Sequence, residues 1–99
     1  MTKIKKLVDE IADELESAKE YAENHLMCKA EGNDEWSKRY YEMAEDELKH
    51  ANYLHDKAVE EIDKLSKVYN PPKNMLDKWD ESHKLFVQKS EWVKQMLAM

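Results

Sequence analysis

Glu47 and His50 stand three residues apart in the segment Glu47-Leu48-Lys49-His50. On a helix, that spacing lets a carboxylate and an imidazole nitrogen converge on one ion. At 100° per residue Glu47 falls near the centre of an apolar stripe, one turn from Met43 and Ala51, with His50 at the edge. A carboxylate buried without a partner is costly, so Glu47 needs a cation, a metal or a proton. Two readings follow. Glu47 and His50 are metal ligands, or Glu47 forms a structural pair with Lys94 or His50 at the inner edge of a bundle.

Further ligands come from neighbouring segments. With turns near residues 32–33 and 70–71, Glu47 is level with residue 18 and His50 with Glu91. Ala18 and Ala22 are small and leave room. Among the nearby carboxylates Glu14, Glu16 and Glu20, Glu14 has the best angle, whereas Glu20 points toward a second interface. Glu14, Glu47, His50 and Glu91 make one expected layer of three carboxylates and an imidazole. Such an oxygen-rich set suits iron or manganese better than structural zinc. The alternative for Glu14 and Glu91 is an ordinary solvated face. Elsewhere, His83 is expected as a core histidine bonded to Asp80, with a cluster that includes His55 as the alternative. His25 is expected beside Tyr40. Cys28 lies off the stripe and is expected to be inert.

The elements that position these residues follow from the breaks in periodicity. Gly32 suits the left-handed position that ends a helix, and Asn33 or Asp34 suits the next N-cap. Asn70 is pushed out of the helical region by Pro71 and is expected to cap a helix that begins at Pro71 or Pro72. Three helices result, at about 3–31, 34–69 and 72–97, in one domain spanning 1–99. Each carries an apolar stripe: Ile4 to Leu26 in the first, Trp36 to Tyr69 in the second, Leu76 to Leu97 in the third. The short connections make consecutive helices antiparallel neighbours. The fold class expected is all-α, an antiparallel three-helix bundle.

Composition narrows the function. With 99 residues there is room for one modest core. One Gly excludes Gly-rich phosphate loops, and one Cys excludes an internal disulfide or a Cys-based zinc finger. A net charge of −6 disfavours nucleic acid as a partner. No apolar run approaches a membrane span, and no apolar export segment follows the N-terminal lysines, so the cytoplasm is the expected compartment.

The segment from Tyr41 to His50 resembles the second helix of ferritin-like and rubrerythrin-like proteins, where a tyrosine and small residues lead into Glu-x-x-His. Asn52-Tyr53-Leu54-His55 continues in the manner of small ferritin-like proteins of bacteria and their phages. The likeness covers about a quarter of the chain. It implies a half-bundle that contributes Glu47 and His50 to an iron or manganese centre, with Glu14 or Glu20 as the single carboxylate from helix 1. The family pattern uses two Glu-x-x-His motifs. This chain departs from it, with Lys94 and His83 in Glu91-x-x-Lys94 and Asp80-x-x-His83. A two-metal site therefore implies two chains, and with it a ferroxidase or metal carrier completed by oligomerisation. A degenerate member that keeps the fold without the full site fits equally well.

A second class of function is an acidic helical protein that holds no metal. The run Asp9, Glu10, Asp13, Glu14, Glu16, Glu20 and Glu23 would occupy a basic surface, in the manner of a phage-type inhibitor of a nucleic-acid enzyme or an adaptor. The alternative is an ordinary solvated helix face. On helix 3, Leu85, Trp92, Met96 and Met99 form a second apolar line away from the core stripe. It is expected to serve a homo-oligomer or a partner protein.

Overall fold

The computed structural model describes residues 2–99. The chain forms α1 (Thr2–Ala30), α2 (Asp34–Val68) and α3 (Lys73–Ala98), with no strand among the described residues. The molecule is a rod of 56 × 17 × 17 Å, its length set by the 35 residues of α2.

The first turn forms as its residue types dictate. Gly32 takes φ 77° and closes a Schellman motif on α1. Asn33 N–H donates to the Cys28 carbonyl at 2.8 Å and Gly32 N–H to Lys29 at 3.1 Å. The Asn33 side chain then accepts from Trp36 N–H at 3.3 Å. One residue therefore ends α1 and caps α2, while Asp34 and Glu35 complement the helix dipole. The second turn corrects an expectation. Asn70 does not cap α3; Pro72 stands at that position with φ −57° and ψ 140°, and the helix begins at Lys73. Pro72 forces Pro71 to be extended, so the helix cannot start before that pair.

α1 packs on both partners, antiparallel to α2 and parallel to α3, while α2 and α3 touch only along a narrow line. Lys3 pairs with Glu61 at 3.4 Å at one end of the α1–α2 seam, and His25 meets Ser37 at the other. The continuous core holds Ile11, Leu15, Ala18, Ala22, Ala44, Leu48, Ala51, Val93 and Met96. Ala18, Ala22, Ala44 and Ala51 are fully buried, and their small side chains let α1 and α2 approach closely.

The stripe of α1 is buried or half-buried throughout. On α2 and α3 the inward face is rotated from the one a straight helix predicts. The α2 seam runs through Ser37, Tyr41, Ala44, Leu48, Ala51, His55 and Ala58, alternating steps of three and four. Trp36 and Met43, expected inside, are exposed. On α3 the seam is Trp79, Ser82, Phe86, Val93 and Met96, while His83 and Val87 turn outward. A 3.5-residue repeat drifts about 20° per heptad from an ideal straight helix, which is enough over these lengths to move flanking residues in or out.

Candidate metal centre

The register of the α1–α2 seam decides which carboxylates meet. Tyr21 stacks on Tyr40 with ring centroids 6.3 Å apart, and His25 pairs with Ser37. Glu47 is therefore level with Glu14 and not with Ala18. The pairs Tyr21–Tyr40 and His25–Ser37 place α1 against α2 about one helical turn from the level that a turn centred on residues 32–33 predicts.

Glu14, Glu47 and His50 offer one ligand atom each, all within 4.8 Å of one another. His50 Nδ1 is 3.7 Å from a Glu14 oxygen and 3.7 Å from a Glu47 oxygen. Glu47 does not sit at the centre of a buried stripe; it flanks the seam with its side chain 21% exposed. His50 is more open and Glu14 is half-buried. The hydrogen bond shared with the Glu14 carboxyl, together with burial, pushes the Glu47 carboxyl from 4.5 up to about 7; His50 opposes the shift. Two carboxylates at this separation cannot both ionise cheaply, so they share a proton or accept a cation.

The shallow cleft beside the group is walled by Glu10, Asp13, Tyr53 and Leu54, all from α1 and α2. No α3 residue lines it. Glu91 is exposed on α3 and does not join the group, because α3 packs on the other flank of α1. Glu20 is exposed on α1 and also stays outside it. Among the described residues Glu47 makes no ion pair with Lys94; its near neighbours are Glu14 and His50. The donor set still fits a divalent cation. Two carboxylates and an imidazole brought together by two helices are ligand types that such an ion would take.

The other histidines differ from expectation. His25 is buried and packs edge-on against Tyr41, not Tyr40. Its Nδ1 lies 2.9 Å from the Ser37 carbonyl oxygen, and the Ser37 hydroxyl donates to the His25 carbonyl at 3.2 Å. His83 is no core histidine bonded to Asp80; it is exposed, and its Nδ1 lies 2.8 Å from His55 Nε2. The contact with His55 is the alternative expected for His83; Ser37 escaped the straight-helix reading, and the three–four spacing from Ala44 and Leu48 is the signal that reaches it.

The outer line of α3 also changes. Leu85 and Trp92 are half-exposed, whereas Met96 is 7% exposed and belongs to the core. Val93 and Met96 are adjacent seam positions, so Met96 cannot face outward. Lys19 Nζ sits 5.0 Å from the Trp92 ring and partly covers it. On α1, Lys6 and Lys19 pair with Glu10 and Glu23, and Lys89 of α3 pairs with Glu16, which neutralises part of the acidic face. Among the described residues no helix is long and apolar enough to cross a membrane.

No protein-family model, no curated protein and no solved structure matches this chain.

Proposed function

We propose that this chain is a small helical metal-binding protein that takes Fe(II) or Mn(II) at Glu14, Glu47 and His50. The observation that supports it is the meeting of two half-buried carboxyl groups and an imidazole from two helices, with their ligand atoms within 4.8 Å. A cation would replace the proton that Glu14 and Glu47 otherwise share. Bound iron or manganese would supply a Lewis acid and a one-electron couple. Glu14 and Glu47 would hold it through oxygen, His50 would complete one side, and Asp13 and Glu10 would lend negative charge at the cleft. The ferritin-like likeness of helix 2 rests on Glu47 and His50 and agrees with this reading.

One chain contributes three ligands, which suits a metal carrier. Ferroxidase chemistry with two metals would need a second copy at the α1–α2 flank. Leu85 and Trp92 sit on the other flank of α1, beside Ala12 and Lys19. Self-association through them would leave the two metal groups apart. Metal analysis tests the reading. Protein made with iron or manganese and then desalted should retain about one ion per chain, and Glu47→Gln should retain none. Equal metal content in both proteins would reject the site. A metal-free protein that binds a basic partner through Asp9, Asp13 and Glu20 is the competing outcome.

A further inference from the structure

A second titratable pair joins α2 to α3. His55 Nε2 and His83 Nδ1 are 2.8 Å apart. The His55 ring stacks on Phe86 with centroids 4.5 Å apart and lies 5.2 Å from Trp79. Its outer nitrogen, Nδ1, is 3.9 Å from an Asp56 oxygen. The side chain of His55 is only 16% exposed, whereas His83 is open to solvent.

An N···N contact of this length holds one hydrogen. Two neutral rings satisfy it, since one donates and the other accepts. An imidazolium and a neutral imidazole satisfy it as well. Two imidazolium rings do not: both nitrogens then carry hydrogen, neither can accept, and two positive charges face each other. The pair lies where α2 and α3 have little else between them, because α3 rests mainly on α1. The charged groups around it are few. Asp56 faces His55 from its own helix, His83 faces it from α3, and no titratable side chain of α1 acts on it. On α3, Asp80 stands one turn before His83, and Lys84 follows it. Burial first, and then the charge of His83, hold His55 below the usual histidine value, with Asp56 opposing.

We infer that His55 and His83 form an acid-sensitive latch between α2 and α3, closed with at most one added proton and opened by the second. Opening separates α3 from α2 at this level and uncovers the apolar faces of Trp79 and Phe86. The rest of the core lies between α1 and its two partners, so the helices persist while the latch opens.

The experiment uses the full chain with Trp36→Phe and Trp92→Phe, which leaves Trp79 as the sole tryptophan. Acrylamide quenching of Trp79 is measured from about pH 7.5 to about pH 4.5, alongside helix content by circular dichroism. The slope of the quenching plot should rise toward that of an exposed indole as pH falls, with helix content retained. His83→Asn, whose amide can donate from the same place but cannot charge, should abolish the rise. Glu47→Gln, which removes a carboxyl raised into the same pH range but distant from the latch, should leave it intact. A slope independent of pH overturns the latch, as does an equal rise in His83→Asn or a loss of the rise in Glu47→Gln. In ¹⁵N-histidine protein, a scalar coupling between His55 Nε2 and His83 Nδ1 should be present at neutral pH and lost in acid. Its absence at neutral pH equally overturns the proposal.

Discussion

Glu14 and Glu47 reach across the α1–α2 seam to one another, and His50 Nδ1 stands 3.7 Å from an oxygen of each. Neither helix could build this group alone. The register of the α1–α2 seam brings the two carboxyl groups to one level, and the fully buried Ala44 and Ala51 beside Glu47 keep the helices close. The result is that the neighbouring Glu14 carboxyl, together with burial, holds the Glu47 carboxyl above its ordinary range.

The first prediction concerns pH in metal-free protein. The Glu47 carboxyl is raised to about 7 in the folded chain, against 4.5 unfolded. Between those values the folded state binds more protons, so this group's contribution to stability grows as pH falls through 7 and is lost as pH rises. His55 is shifted the other way and acts oppositely in acid. Comparison with Glu47→Gln isolates the carboxyl. Urea unfolding at about pH 8 should find Glu47→Gln more stable than wild type by about 1 kcal/mol, after allowance for solvent screening, with the gap closing near pH 5. A variant less stable at pH 8 in chelator would contradict the shared-proton description.

Core truncations should grade with burial. Leu15 is 2% exposed and central to the core, so Leu15→Ala should cost about 2–5 kcal/mol. Phe86 is only half-buried, and Phe86→Ala should cost roughly 1–3 kcal/mol. Denaturant midpoints at constant m-value check both. Equal losses would mean that α3 is as deeply packed as α1.

The turn at Gly32 should resist substitution for a backbone reason alone. Nothing lies within 4 Å of the position a Cβ would take, yet φ is 77°. Gly32→Ala should therefore cost about 1 kcal/mol, and Gly32→Asn less, since Asn tolerates the left-handed region. Thermal unfolding separates the two. A neutral Gly32→Ala would mean the turn relaxes out of the Schellman geometry.

Helix number, helix ends to within a residue or so, and the first turn were legible in the sequence because Gly32-Asn33 and Pro71-Pro72 act locally. The pairing of Glu47 with His50 was legible for the same reason, since three residues on a helix fix it. The partner carboxylate was harder. Glu14 could be ranked by angle, but its level depends on how α1 and α2 slide past one another as they pack, which Tyr21–Tyr40 and His25–Ser37 fix, and Glu91 depends on which flank of α1 receives α3. Met96 and His83 were misplaced because a straight-helix projection gathers error along α3. A supercoiled seam keeps Val93 and Met96 inside and turns His83 out to meet His55.

Direct titration with Mn(II), followed by the electron paramagnetic resonance signal of the free ion, tests the central claim. Wild-type protein should remove the free-ion signal until about one ion is bound per chain, and Glu14→Gln and Glu47→Gln should each abolish that uptake while keeping the helical circular dichroism spectrum. Undiminished free Mn(II) in the presence of wild-type protein, or the same uptake by all three proteins, would contradict a metal site at Glu14, Glu47 and His50.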